Sequence, residues 1–124
     1  MSMETVYRPW GNYTVMWNDL SDNKPHFQVK RLEIHKGQAL SLQSHDNREE
    51  YWTVIRGAGE IITGAYHSGF KHEQAHPGTQ VVIPKRVLHR VRNTGLDDLV
   101  ILEAQLGKID EKDITRYEDM YGRA

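Results

Sequence analysis

Four side chains carry the strongest chemical signal in this chain: Gln43, His45, Glu50 and His89. Gln43 and His45 are two positions apart in ALSLQSH, so on a strand they face the same side. Glu50 follows at the start of the next β-rich run, and Trp52 continues its face. His89 comes from a distant segment, IPKRVLHRVRN. Two imidazole nitrogens, one carboxylate and one amide oxygen can hold a divalent metal and leave positions open for a substrate. A lone histidine on an apolar strand is usually structural. Four ligand-type residues in two glycine-framed blocks are far less easily accidental. If the blocks Gly37 to Gly57 and Gly78 to Asn93 lie side by side, they build a metal site inside a small barrel.

The elements that would position these residues are short β-rich runs separated by turn signals, the pattern of an all-β sandwich or barrel. NYTVMW (12–17) reads as a first strand after the rigid turn Arg8-Pro9-Trp10-Gly11. HFQVKRLEIH (26–35), ALSLQSH (39–45), YWTVIRG (51–57) and EIITG (60–64) follow. Residues 65–78 read as a loop or an irregular hairpin. TQVVIP (79–84) ends in a proline, LHRVRN (88–93) alternates, and DLVILEAQLG (98–107) is the most apolar strand. The tail breaks this pattern. Asp113 can cap a helix, Ile114, Tyr117 and Tyr121 fall on one helical face, and Gly122 can end it, which predicts a short C-terminal helix.

The chain has 124 residues, a formal net charge of -1, seven histidines and no cysteine. That length fits one domain, residues 1–124, able to bury a core without disulfides. The lack of cysteine excludes a disulfide framework and any thiolate site, and fits a reducing cytoplasm. The opening MSMETVYRPWG lacks the pattern of a signal peptide. No apolar run approaches the ~18–20 residues that span a bilayer, so no membrane partner is expected. The balanced charge gives no reason to expect nucleic acid.

The spacing G-x5-Q-x-H-x4-E-x6-G, followed by G-x5-P-x4-H-x3-N, resembles the two motifs of the cupin superfamily. Gln43 stands where the usual first motif has histidine, and one branch of the superfamily has glutamine there regularly. RPWGNY, FQVKRLEI, LSLQSH, IPKRVLHRVRN, LEAQLG and DITRYEDMYGR are similar to the type II mannose-6-phosphate isomerase domain, from Tyr7 to Arg123. That domain commonly forms the C-terminal part of bifunctional guanylyltransferases and also occurs alone. The resemblance implies a double-stranded β-helix, or jelly-roll, barrel with a divalent metal (zinc, manganese, cobalt or nickel) held by Gln43, His45, Glu50 and His89. It also implies isomerisation of mannose 6-phosphate and fructose 6-phosphate, or of a related phosphosugar, and a homodimer. No nucleotidyltransferase domain precedes the barrel here, so guanylyltransferase activity is not expected. The chain departs from the family at Asp46, Asn47 and Tyr51, which replace typical histidines, and at Arg86, which replaces the glycine of the second motif. Neither change removes a ligand, but both bear on the pocket mouth.

Aldose–ketose isomerisation moves a proton between C1 and C2 through an enediol. It needs an electrophile at the carbonyl, a base within hydrogen-bond reach of the proton, and a cation for the phosphate. Lys30, Arg48 and Glu103 are the candidates. Lys30 shares a strand face with Leu32 and Ile34 and points inward if those two are core. The alternation equally allows Phe27 and Val29 to point in, and the resemblance favours the first choice. Arg48 lies between His45 and Glu50, in a loop, and could equally be an ordinary exposed arginine. Arg8 and Arg116 are weaker phosphate candidates, with Arg116 also able to pair with Glu111 or Asp113. Arg90 and Arg92 should face away from the metal. Glu103, on one face with Gln105, could be a desolvated base with a raised pKa or a salt-bridge partner of Lys30 or Arg31. Trp52 could wall the pocket but more naturally packs the core. His35, His67, His72 and His76 have no periodic partner near the motifs. The competing expectations are a sugar- or metabolite-binding metal cupin without turnover, and an iron oxygenase, which the glutamine and the isomerase-like tail argue against.

Overall fold

The structure, a computed structural model, describes residues 3–124. Alternating side chains produce eleven strands among the described residues, in two sheets. β1 (Glu4–Arg8), β2 (Gly11–Asp19), β3 (His26–Ile34), β5 (Arg48–Arg56), β8 (Gln80–Ile83) and β10 (Leu99–Gly107) form one sheet in the order β1-β2-β3-β10-β5-β8. β4 (Leu42–Ser44), β6 (Gly59–Ala65), β7 (Gly69–Ala75), β9 (Leu88–Asn93) and β11 (Thr115–Glu118) form the other in the order β11-β4-β9-β6-β7. Every pairing is antiparallel. The two faces close on one another as a jelly-roll, as expected. Among the described residues no helix is long and apolar enough to cross a membrane.

Register explains where the core sits. Opposite β10, Leu99 pairs with Ile34, Ile101 with Leu32, Glu103 with Lys30 and Gln105 with Gln28. On its other side Ile101 pairs with Val54, Glu103 with Trp52, and Gln105 with Glu50. Side chains of paired residues share a face, so the barrel interior is built in rows. Ile34, Leu99, Ile101, Val54, Ile61 and Val91 fill one end, each at most 1% exposed except for neighbours such as Leu32 at 4%. The rows then turn polar through Lys30, Glu50, Glu103 and Gln105, all buried. Lys30 therefore points inward, and Phe27 and Val29 lie on the outer face, half-buried.

Two elements differ from the sequence reading. Residues 65–78 contain a regular strand, β7, which pairs along its length with β6. The expected C-terminal helix does not form. Residues Thr115–Glu118 are instead strand β11, paired with β4 through Thr115↔Ser44 and Arg116↔Gln43. The physical reason lies in Asp113. Its carboxylate accepts from the backbone N–H groups of Asp46 and Asn47, each at 2.9 Å, not from the next turn of its own chain. An isolated helix this short is marginal, whereas the open edge of β4 offers a row of unpaired backbone groups. Ile114 and Thr115, both β-branched, suit that edge.

Arg86 has a φ of 69°, a left-handed conformation at the place where the second motif usually has glycine. Its N–H donates to the carbonyl of His45 at 2.8 Å, which ties the turn after β8 to the first motif. The strain is a penalty the chain tolerates. Arg86→Gly should raise unfolding stability by about 0.5–1 kcal/mol, read as a higher urea midpoint with unchanged slope. A lower midpoint would mean that the Arg86 side chain contributes more than its backbone costs.

Candidate metal centre and the cavity beside it

Gln43 on β4 is paired directly with His89 on β9, so the two motif blocks meet as neighbouring strands. His45, just after β4, and Glu50, on β5, close the group. His45, Glu50 and His89 bring one ligand-type atom each to within 4.8 Å of one another. His89 Nε2 lies 3.3 Å from Glu50 Oε1, and His45 Nε2 lies 3.4 Å from Glu50 Oε2. The three residues are 1–3% exposed. Gln43 lines the cavity next to His45, and its amide oxygen accepts from the Ser41 hydroxyl at 2.9 Å.

Backbone carbonyls set the tautomers. His45 Nδ1 lies 2.7 Å from the Asp113 carbonyl, and His89 Nδ1 lies 3.0 Å from the Val87 carbonyl. A carbonyl only accepts, so each Nδ1 carries the hydrogen, and in the neutral ring each Nε2 presents a lone pair to Glu50. Arg48 offsets part of this convergence of acceptors. Its Nε donates to Glu50 Oε2 at 3.0 Å and its Nη2 reaches His45 Nε2 at 3.2 Å. Glu50 Oε1 and His89 Nε2 remain buried without a hydrogen-bond partner. Two orphaned buried acceptors aimed at one point are what a divalent cation would satisfy, so the residues fit such an ion.

The electrostatics agree. Burial, with Arg48 and His89 adding to it, lowers the His45 pKa to about 4, which keeps that ring neutral at pH 7. Burial alone would push the Glu50 carboxyl up, but His89, His45 and Arg48 hold it well below the usual carboxylate range. Burial would likewise lower His89, but Glu50 outweighs it and raises the ring's proton affinity. A proton between Glu50 and His89 and a divalent cation are thus alternatives for the same place.

The cavity opens from this centre. His45, Gln43, Arg48 and Glu103 line it together with Arg8, Glu111, Arg116 and Arg123, and Arg116 on β11 is paired directly with Gln43 on β4. Arg48 is not in a loop: it opens β5 and is 6% exposed. Glu103 accepts from Trp52 Nε1 at 2.9 Å and from the Gln105 amide, which in turn accepts from Gln28 at 3.1 Å. Lys30 is not its ion-pair partner. The Lys30 ammonium sits 4.0 Å from the centre of the Tyr13 ring and pairs with Glu111 at 3.1 Å. Trp52, 1% exposed, packs edge-on against His89 rather than lining the cavity. Asp46, Asn47, Tyr51 and Arg86 are exposed and outside the cavity lining, so the departures from the family pattern leave its wall unchanged. Arg92 faces outward onto Glu60, and Arg90 bonds the Leu40 carbonyl. His35, His67 and His72 stand at exposed positions. Sequence alone offers Asp113 as a helix cap and Glu111 as a partner of Arg116, and gives no signal for Arg123 at the cavity.

These features define a cupin barrel, with two histidines and a glutamate at its polar end. The chain belongs to the family described as mannose-6-phosphate isomerase C-terminal, whose pattern it matches over residues 1–119. It is 40% identical over 119 residues to the xanthan biosynthesis protein XanB of Xanthomonas campestris pv. campestris, covering 95% of this chain and 23% of that one. It is 39% identical over 120 residues to the alginate biosynthesis protein AlgA of Pseudomonas syringae pv. tomato, covering 96% and 23%. The chain therefore spans about a quarter of the length of these curated relatives. In fold it is similar to the capsular polysaccharide assembling protein CapF of Staphylococcus aureus, with a TM-score of 0.80 at 18% identity over 94% of this chain and 34% of that one. Oxalate decarboxylase of Lactobacillus farciminis gives 0.75 at 19% identity, over 92% and 33%.

Burial, and then the charge of Glu50, raise the Glu103 carboxyl from 4.5 to about 7, against the opposing pull of Lys30, Arg48 and Gln105. A carboxyl raised in the folded state takes up a proton on folding, so stability falls as pH climbs through that window. With a chelator present, Glu103→Gln should gain stability relative to the natural chain between pH 5 and pH 8, by on the order of 1–3 kcal/mol. Urea unfolding across that range measures it. A difference that stays flat would show that Glu103 titrates normally.

Proposed function

We propose that this chain is a metal-dependent aldose–ketose isomerase acting on mannose 6-phosphate and fructose 6-phosphate, or on a closely related phosphosugar. The observation that carries the reading is Glu103, a buried carboxylate held by Trp52 and Gln105 on the wall of the cavity that also holds His45, Gln43 and Arg48, with its pKa pushed up to about 7 by burial and Glu50. A general base works best when its pKa lies near the working pH. Family membership supports the same reaction class.

Gln43, His45, Glu50 and His89 would hold the ion, with zinc, manganese, cobalt and nickel all compatible with this donor set. A divalent ion there would supply Lewis-acid polarisation of the sugar carbonyl. Glu103 removes the proton from C2 of the aldose, the C–H electron pair becomes the C1=C2 bond and the C1=O π pair moves onto O1, giving an enediolate. Transfer of the O2 proton to O1 then lets the O2 pair form C2=O while the C1=C2 pair takes the proton back from the same carboxyl at C1. Trp52 and Gln105 hold Glu103 on both oxygens and fix its direction. Arg48, bonded to His45 and Glu50, stabilises negative charge at the reacting end.

The arginines of the cavity lining suit a phosphate. Burial and the charges of Arg123 and Arg8 push the Arg116 guanidinium below its ordinary range, opposed by Asp119. Arg116 Nε is buried without a partner, while Arg123 is already engaged by Asp119 at 2.8 Å. Crowded cations with one unsatisfied donor favour an incoming dianion.

The test is proton NMR of protein shown to be metal-loaded, with mannose 6-phosphate in deuterated water. Fructose 6-phosphate should appear, with deuterium at C2 of recovered mannose 6-phosphate. Glu103→Gln should slow turnover by about 10²–10⁴-fold, and Glu50→Ala should abolish it. No turnover with any of the four metals would remove mannose 6-phosphate as the substrate.

A further inference from the structure

Lys30 holds an unusual position for a cation. Its side chain is 5% exposed, yet its single carboxylate partner within ion-pair distance, among the described residues, is Glu111, whose side chain is 58% exposed. Lys30 lies at the centre of β3, opposite Glu103 on β10. Glu111 lies at the apex of a turn in the segment between β10 and β11, where Asp113 N–H donates to the Asp110 carbonyl at 2.9 Å. The segment is tied on both sides of Glu111. Before it, Lys108 N–H donates to the Asn47 carbonyl at 2.9 Å and Ile109 N–H to His26 Nδ1 at 3.1 Å. After it, Asp113 holds the Asp46 and Asn47 N–H groups and His45, while Glu111 itself projects from the apex. The pair is therefore asymmetric. Glu111 can exchange its partner for water, and Lys30 cannot.

Glu111 also occupies the cationic part of the cavity. Burial would raise its pKa, but Lys30 first, then Arg48 and Arg8, hold it below the ordinary range. The cations that would attract a ligand's phosphate are thus partly neutralised by a carboxylate of the chain itself.

We propose that Glu111 is the resident counter-ion of Lys30 and a specificity-determining residue: an anionic ligand displaces it and takes over Lys30 as a further anchoring cation. The inference rests on the reading of the cavity as an anion site. It follows that a phosphorylated sugar, with two negative charges, can compete with the single carboxylate of Glu111. A neutral sugar of the same shape cannot. Asp113 stays in place during the exchange, so the His45 tautomer is kept while the apex of the turn moves.

The experiment is isothermal titration of inorganic phosphate into the full chain, into Glu111→Gln, and into the double variant Glu111→Gln/Lys30→Met, at low ionic strength and pH 7.5. Glu111→Gln should bind phosphate at least about five-fold more tightly than the natural chain, the lower end of ordinary coupling between competing groups. The double variant should lose that gain. Circular dichroism melting of each variant verifies that it is folded. Equal or weaker binding by folded Glu111→Gln would overturn the proposal, as would a double variant that keeps the gain. If neither the natural chain nor Glu111→Gln binds phosphate, the anion reading of the cavity falls with it. Binding that is equal in both overturns the counter-ion role of Glu111 and leaves that reading standing.

Discussion

Three buried electron-pair acceptors aimed at one point are the constraint around which this barrel is organised. His45 and His89 each spend their Nδ1 hydrogen on a backbone carbonyl, and each turns Nε2 toward the Glu50 carboxylate. Such an arrangement repels itself unless positive charge sits among the acceptors. Arg48 supplies some, from the same strand as Glu50. The orphaned Glu50 Oε1 and His89 Nε2 mark where more is required. Leaving one buried charge uncompensated costs about 3–5 kcal/mol, so the surrounding rows must over-determine the geometry. They do so through the direct pairing of Gln43 with His89 and the Asp113 clamp on the first motif.

The barrel can carry this load because its interior is divided. β3, β5 and β10 each run from apolar to polar along their inner face; β3 and β10 change at the Lys30–Glu103 pair, and β5 one pair further on, with Trp52 opposite Glu103 and Glu50 opposite Gln105. At one end Ile34, Leu99 and Ile101, all 0% exposed, supply ordinary hydrophobic stabilisation. At the other, the amide chain from Gln28 through Gln105 to Glu103 keeps a buried carboxylate hydrogen-bonded. Fully connected polar networks of this kind specify geometry at some expense in stability. Burial and the charge of Glu50 raise the Glu103 pKa against the pull of that network, and under the proposed function that shift suits the carboxylate to act as a base.

Much of this was legible in the sequence. Period-two alternation bounded by glycine identified the principal strands, and the i, i+2 spacing of Gln43 and His45 placed them together. What remained hidden depended on long-range partners. Lys30 alternates with equally apolar neighbours on both sides, so only the pairing with β10 decides its face. Residues 65–78 are polar enough to read as a loop or an irregular hairpin, and they form a regular hairpin strand on the open edge of β6. The tail satisfies a helical pattern through Ile114, Tyr117 and Tyr121, but the unpaired edge of β4 and the distant N–H groups of Asp46 and Asn47 compete for it and win. Once the tail is a strand, Arg116 and Glu111 come to the cavity, a consequence no local pattern announces.

The account stands or falls on whether the convergent acceptors hold a cation. The most direct measurement is anomalous diffraction from crystals of the protein grown with zinc or manganese, collected on both sides of the metal absorption edge. The expected result is one strong anomalous peak about 2.0–2.2 Å from His45 Nε2, His89 Nε2 and a Glu50 carboxylate oxygen, with the Gln43 amide oxygen completing the protein donors. No peak at that point, with His89 and Glu50 sharing a proton instead, would contradict it.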